Sequence, residues 1–278
     1  MKVLLSGHEG FIGGRYRAAW PQRGHAVYGM DKKSGRSTAD YLQLDYMVQQ
    51  VRPDVIVHCG ASCSTRISLE NPLIDFVDNA VGTVNVAEAA RVNGGIPVLY
   101  VSTVKVAPGA DGRVAPLGLS KRIGEDYLAA YRQLYSLPSV VLQPSTVYGP
   151  GQVGDRNLGW VSHFIRCAAN GITPTVYGPG TQSRDILYVD DFVHLMIDIV
   201  EHFDAYQGGV YPVGGGPDNE VSILGLLHHL GVTQYRREPA IPTDLARVVT
   251  DNTAVTRVRG WQPTTPWRVG VHATREAL

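Results

Sequence analysis

The sequence predicts an α/β fold, a doubly wound parallel sheet carrying a smaller C-terminal lobe. Three observations predict it. Short apolar runs alternate with helix-like segments through the first half of the chain. The first of these runs passes straight into a glycine-spaced turn, and after Tyr148 glycine and proline become frequent. Uninterrupted apolar strands mark a parallel sheet covered by helices on both faces, and strand–helix alternation at this spacing is the doubly wound pattern.

Taken in order, strands are expected at 2–6, 25–30, 41–44, 54–58, 98–102 and 139–143, with helices at 11–20, 46–51, 74–93 and 119–135. Beyond Tyr148 the elements become short and loop-linked, as in a lobe that caps a larger domain. The boundaries expected are 1–145 for the main domain, completed by parts of 186–206, and 146–278 for the lobe. The 278 residues suffice for one large domain or two that share a core. The formal net charge is zero, which argues against nucleic acid or an anionic membrane as a partner. Basic residues are 20 Arg and five Lys, so a lysine near a site carries more information than usual. The three cysteines have no metal-ligand spacing beyond a lone C-x3-C, so no metal is expected and they read as reduced thiols of a cytoplasmic protein. The chain opens directly on a strand, so no leader is expected, and its apolar runs fall short of the roughly 20 residues that span a bilayer.

The first strand runs Val3-Leu4-Leu5-Ser6 into Gly7-His8-Glu9-Gly10-Phe11-Ile12-Gly13. A G-x-x-G-x-x-G turn at a strand-to-helix junction is a dinucleotide-binding device. Gly7 permits the tight turn, Gly10 lets backbone approach a pyrophosphate, and Gly13 lets the helix pack against the strand. The helix N-terminus at Phe11 and Ile12 then offers N–H groups and a favourable dipole to the phosphates. Asp31 ends the next strand, where a carboxylate accepts from both adenosine ribose hydroxyls and repels a 2′-phosphate. That favours NAD over NADP, with Lys32 and Lys33 weakening the preference. This is the Rossmann arrangement.

With these residues in view, the chain resembles the extended short-chain dehydrogenase/reductase family, the nucleotide-sugar epimerases and dehydratases. The resemblance covers nearly the whole chain: GHEGFIG; Asp45-Tyr46; the strand ending His58-Cys59-Gly60-Ala61; Asn79-x-x-Gly82-Thr83-x-Asn85; Val101-Ser102-Thr103; Ser120-Lys121 with Glu125; Val147-Tyr148-Gly149-Pro150-Gly151-Gln152; Ser183-Arg184-Asp185-Ile186-Leu187-Tyr188-Val189-Asp190-Asp191; and Gly260-Trp261-Gln262-Pro263. It implies NAD as cofactor, a nucleoside-diphosphate sugar as substrate, and a homodimer built on helices near 74–93 and 119–135. Asp45 and Tyr46 would contact adenine, Cys59, Gly60 and Ala61 would line the cofactor, Lys121 would anchor the nicotinamide ribose, and Thr103 would hold the sugar hydroxyl. On the substrate side it implies Thr146, Asn157, Leu158 and Arg184, with Arg247 a second arginine by position.

One departure bears on activity. The family's Tyr, four residues before the Lys, moves a proton to or from the sugar hydroxyl. Here that position is Leu117, which has no proton to exchange. Two readings follow: an epimerase with a substitute proton carrier, or a non-catalytic binder of NAD and nucleotide-sugar serving as a partner subunit. A third class, an NADP-linked reductase, fits Asp31 and Arg184 less well. Lys105 is the substitute considered, beside a solvated-loop alternative. In the 4,6-dehydratases the two positions after the Thr hold Asp and Glu, whereas here they are Val104 and Lys105, which disfavours that reaction. Cys63 is expected to be a buried structural thiol, Arg66 a loop charge, His58 structural, and His163, His228 and His229 ordinary helix residues. Gln143 and Thr146 stand where the family carries Arg and Asn, so a reshaped sugar pocket is expected.

Overall fold

The computed structural model describes residues 1–20, 24–108, 112–156, 158–240 and 244–278. The first half contains β1 (Lys2–Ser6), α1 (Phe11–Ala19), β2 (Ala26–Met30), α2 (Tyr41–Val51), β3 (Val55–His58), α3 (Thr65–Glu70), α4 (Pro72–Phe76), α5 (Gly82–Val92), β4 (Val98–Val101), α6 (Pro116–Tyr135) and β5 (Ser139–Pro144). The second contains β6 (Thr146–Tyr148), α7 (Trp160–Ala169), β7 (Thr175–Tyr177), β8 (Ser183–Tyr188), α8 (Val189–Glu201), α9 (Phe203–Tyr206), β9 (Val210–Val213), β10 (Glu220–Ser222), α10 (Ile223–His229), β11 (Arg236–Glu238), β12 (Arg247–Val248), α11 (Thr253–Arg259) and α12 (Trp267–Glu276).

Six strands form the main sheet in the order β2-β1-β3-β4-β5-β9, and every pairing in it is parallel. The chain winds outward in one direction from β1 to β2 and in the other from β3, so the order switches between β1 and β3. In such sheets the crevice beyond the carboxyl ends of the strands at that switch is where ligands bind. Side chains alternate across the sheet. Val3, Leu5, Val57 and Leu99 pack with Tyr16 of α1, with Trp20 just after it, and with Phe192, Met196 and Val200 of α8. Leu4, Ile56, Val98 and Tyr100 pack against Leu44 and Val48 of α2, Val86 and Ala90 of α5 and Leu128 of α6. Each such fully buried side chain contributes about 1.5–3 kcal/mol.

The segment 41–44, expected as a strand, is the first turn of α2. The Asp40 side chain caps it by accepting the Gln43 N–H at 3.1 Å. Leu44, Val48 and Val51 recur at helical spacing and are buried; the local run Tyr41-Leu42-Gln43-Leu44 conceals that period. Helix 74–93 is interrupted by a π-helical turn at Val77–Val81. The helix expected at 119–135 begins earlier, with Pro116 in its first turn, where the missing N–H costs nothing. The main domain recruits α8 and also β9, which lies beyond the 186–206 stretch.

In the smaller lobe, β8 pairs with β6, β10 and β12, and β7 pairs with β11. Their core is Tyr148, Phe164, Ile186, Leu226 and Trp267. Among the described residues no helix is long and apolar enough to cross a membrane.

Candidate functional site

A cavity of about 1020 Å³ lies where the carboxyl ends of β1–β5 face the smaller lobe. At one end is the glycine turn. Gly7 has φ +72°, and a Cβ there would stand 2.7 Å from the Gly60 nitrogen. A Cβ on Gly13 would stand 2.1 Å from the Gly7 carbonyl oxygen. At either place a side chain would run into backbone, so β1, the start of α1 and the Gly60 loop meet at direct backbone contact. Gly10, Phe11, Ile12 and Gly13 open α1 toward it, and Cys59, Gly60 and Ala61 form the facing wall.

Asp31 lies in the same wall at the end of β2. Its carboxylate accepts the Lys33 N–H at 2.9 Å and the Glu9 N–H at 3.0 Å. Both neighbouring lysines are engaged elsewhere: Lys32 Nζ pairs with both Asp78 carboxylate oxygens at 2.8 Å, and Lys33 Nζ donates to the Glu9 carbonyl at 3.1 Å. A 2′-phosphate would meet the Asp31 charge, with Lys33 and Arg36 as the basic groups of the same wall that are not paired with a carboxylate. Asp45 and Tyr46 are not in the cavity. Because 41–51 is helical, Asp45 faces α5, accepting Asn93 Nδ2 at 2.7 Å and Gln49 Nε2 at 2.8 Å. Tyr46 is exposed on a separate shallow groove beside Tyr28 and Met47. Ser37 and Thr38 line the cavity instead; sequence reasoning missed them because it placed a strand after them.

In the middle of the cavity are Lys121, Thr103, Lys105 and Leu117. Lys121 is buried, and its Nζ donates to the Val101 carbonyl at 2.9 Å and lies 5.0 Å from the centre of the Tyr100 ring. Leu117, one turn earlier on α6, is also buried, and its N–H donates to Ser68 Oγ at 3.2 Å. Thr103 Oγ1 accepts the Lys105 N–H at 3.3 Å. Lys105 Nζ donates to Thr65 Oγ1 at 2.9 Å. Lys105 is open to the cavity but has protein behind it, and that enclosure pushes its ammonium below the usual lysine range, Asp244 opposing and Arg184 adding to the shift.

The far end is built by the smaller lobe. Thr146, Leu158 and Arg184 line it, whereas Asn157 lies outside the described residues. Arg184 pairs with Asp244 at 2.5 Å and donates to the Ser183 carbonyl at 2.6 Å. Arg247 does not join it: its Nε and one Nη donate to the two Glu220 carboxylate oxygens at 2.8 Å, away from the cavity. Alternation on β12 turns it outward. Arg66 belongs to the site although it was expected to be a loop charge. It sits on α3, lines the cavity and donates to Tyr177 Oη at 2.9 Å. Cys63, expected to be buried, is exposed in the cavity wall, and Cys167 is the buried thiol. His163 lines the cavity from α7. Nothing in the local sequence distinguishes Arg66, Tyr177 or His163 from surface residues; only the tertiary meeting of α3, α7 and β7 does.

The model of the NAD dependent epimerase/dehydratase family matches residues 3–214. The chain belongs to that family. It is 31% identical to UDP-glucose 4-epimerase of Mycolicibacterium smegmatis over 99% of this chain and 98% of the relative. It is 25% identical to CDP-paratose 2-epimerase of Salmonella typhi over 98% and 97%. Among solved structures, Thermus thermophilus UDP-glucose 4-epimerase in complex with NAD superposes with a TM-score of 0.86 at 26% identity, covering 100% of this chain and 98% of that one. MoeE5 in complex with UDP-glucose and NAD superposes with a TM-score of 0.89 at 25% identity, covering 99% and 98%. The cofactor is NAD, and the Gly7–Gly13 turn at the start of α1 and the Asp31 carboxylate, both in the cavity wall, fit its pyrophosphate and its adenosine ribose.

Proposed function

We propose that the protein is an NAD-dependent nucleotide-sugar-modifying enzyme, an epimerase whose active site works without the family's Tyr. One observation carries the reading. A continuous cavity runs from the glycine turn and Asp31, past Lys121 and Thr103, to Arg184. That is room for two nucleotide ligands whose reactive ends meet at Thr103. NAD, when bound, accepts a hydride from a sugar carbon and returns it. Lys121 holds the nicotinamide ribose and keeps a positive charge beside the reacting hydroxyl. Thr103 orients that hydroxyl. Arg184 presents a planar charged fork to the diphosphate oxygens, and Thr146 and Leu158 border the sugar nucleotide. The hydroxyl proton leaves through Thr103 and water, or through Lys105.

Incubating the purified protein with a panel of nucleoside-diphosphate sugars tests this. Interconverted sugars and transient NADH absorbance are expected. Tight binding of both ligands with no turnover across the panel would replace this reading with the second one, a non-catalytic NAD and nucleotide-sugar binder, which Leu117 favours.

The protein is further proposed to act as a homodimer in the cytoplasm. Leu73, Ile74 and Phe76 on α4 and Tyr127, Leu134 and Tyr135 on α6 are exposed apolar side chains, which supports a second copy packing there. Cys59, Cys63 and Cys167 are free thiols, which supports a reducing compartment.

A further inference from the structure

Behind the cavity wall, a set of buried polar side chains forms a closed ring that begins and ends on the same cofactor-facing loop. The Gly60 N–H donates to Ser6 Oγ at 3.0 Å. Ser6 Oγ lies 2.6 Å from His58 Nδ1, and His58 Nε2 lies 3.1 Å from Thr83 Oγ1. Thr83 Oγ1 donates to the Asn79 carbonyl at 2.6 Å. Asn79 Oδ1 then accepts the Ser62 N–H at 2.8 Å. Ser6, His58, Thr83 and Asn79 are all buried.

The acceptors fix where every proton sits. A carbonyl only accepts, so the Thr83 hydroxyl spends its proton on Asn79 and must accept from His58. His58 therefore carries its hydrogen on Nε2, Nδ1 is bare, and the Ser6 hydroxyl donates to it. That leaves the Ser6 lone pairs for Gly60. A second proton on His58 would remove the acceptor for Ser6 and place a cation in the core on the side of Lys121. Burial, with Lys121 adding to it, pushes the imidazole down to about 3. The ring stacks on Tyr100 with centres 5.4 Å apart, and Lys121 Nζ lies over the same tyrosine at 5.0 Å.

The ring is also tied to α6. Asn79 Nδ2 donates to Ser120 Oγ at 3.0 Å and to Asp75 Oδ1 at 3.1 Å, and Ser120 Oγ donates to Asp75 Oδ2 at 2.6 Å. Ser120 immediately precedes Lys121. The Asn79 amide thus has both its hydrogens and its oxygen committed, and it spans from the loop to the helix that carries the lysine.

We infer that His58 and Asn79 are positioning residues for NAD: a neutral, single-tautomer histidine and a fully bonded amide hold the Gly60–Ser62 loop against the Gly7 turn and in register with Lys121. The loop has little slack, since a Cβ on Gly60 would already stand 3.1 Å from Ser6 Oγ.

The test uses the full-length protein with NAD and, separately, uridine diphosphate as calorimetric probes, alongside thermal unfolding and nitrogen NMR of the His58 ring. Thr83→Val strips the hydroxyl that sets the tautomer, Thr83→Ser keeps it, and Asn79→Ala cuts the link to α6. An unpaired buried donor is expensive, so Thr83→Val and Asn79→Ala are expected to weaken NAD binding about 10-fold or more. Thr83→Ser should stay within about 2-fold of wild type, and uridine diphosphate affinity should be unchanged throughout. The wild-type ring should show the Nε2–H form. Folded variants that bind NAD as wild type does, NAD and uridine diphosphate affinities falling together, or an Nδ1–H ring would each overturn the inference. Should Asn79→Ala fail to fold, the Thr83 pair and the wild-type ring spectrum decide it alone.

Discussion

The Lys121 ammonium donates to the Val101 carbonyl at 2.9 Å, across the cavity floor between α6 and the end of β4. A buried cation with one strong backbone acceptor retains donors for a ligand hydroxyl, and hydrogen bonds to charged groups are each worth about 1.5–3 kcal/mol. Lys121→Ala is therefore expected to abolish turnover and to weaken NAD about 10- to 100-fold. Calorimetry with NAD checks the second part independently of activity, and unchanged affinity would remove Lys121 from cofactor binding.

Asp31 is expected to favour NAD over NADP. Its carboxylate caps the turn at Lys32–Ser34 and faces the cavity, while Lys32 is tied to Asp78. Asp31→Ser keeps a capping oxygen but removes the charge. Competition binding should show NAD weakened about 10-fold and the NAD/NADP preference narrowed by at least that much, in line with a charge-assisted pair of about 1.5–3 kcal/mol. A preference as strong as wild type would assign selectivity to another residue.

His58 gives the fold an acid-side liability. Its imidazole is held at about 3, against an ordinary value of 6.5. Above the ordinary value both folded and unfolded forms are neutral, and the histidine adds no pH dependence. As pH falls below about 6.5 the unfolded chain takes up a proton that the folded one refuses. Unfolding free energy should then drop by about 1.4 kcal/mol per pH unit until the folded pKa is reached. Urea titrations between pH 7 and 5 check this. His58→Gln should flatten that part of the curve, and an equal slope in the variant would assign the acid sensitivity to other groups.

How far the sequence carried these conclusions can be read from particular elements. The β1–Gly7 junction was legible because glycine spacing, an apolar strand and a following helix are local features, and Asp31, Thr103, Lys121 and Arg184 all lie in the cavity as motif positions suggest. Asp45 was misplaced because the Tyr41–Leu44 run reads as a strand until the Asp40 cap and the Leu44, Val48, Val51 spacing are weighed together. Arg247 was misplaced because register, not proximity in sequence, decides which side of a two-residue strand faces inward. Arg66 and Tyr177 join across 111 residues, and no periodicity signals such a meeting.

The exposed apolar side chains of α4 and α6 give a direct test of assembly. Leu73 and Leu134 are each 72% exposed, so substituting them does not disturb the core. Sedimentation of wild type should give twice the mass of the chain. Leu73→Asp with Leu134→Asp should give one chain's mass with an unchanged melting profile under dilute conditions. A wild-type monomer, or a variant that still dimerises, would move the interface elsewhere.

Leu117 is the position proposed to separate activity from binding. It precedes Lys121 by one helical turn, so the two side chains share a face of α6 and both line the cavity. A phenol at this position would stand beside the Lys121 ammonium, which favours the phenolate, and it would supply the proton carrier that leucine lacks. General acid–base groups contribute about 10²–10⁴-fold. Leu117→Tyr is therefore expected to raise kcat for a nucleoside-diphosphate sugar by about 10²-fold, with KM and NAD affinity little changed. The gain should disappear in the Leu117→Phe control, which adds the ring without the hydroxyl. Equal rates for the Tyr and Phe variants would mean that the proton already has an efficient route, and Lys105→Met, measured across pH, then becomes the decisive variant. Enclosure moves the Lys105 ammonium below the ordinary lysine range. A rate carried by its neutral amine should therefore climb with pH at lower values than free lysine would give, and that rise should vanish once methionine replaces it.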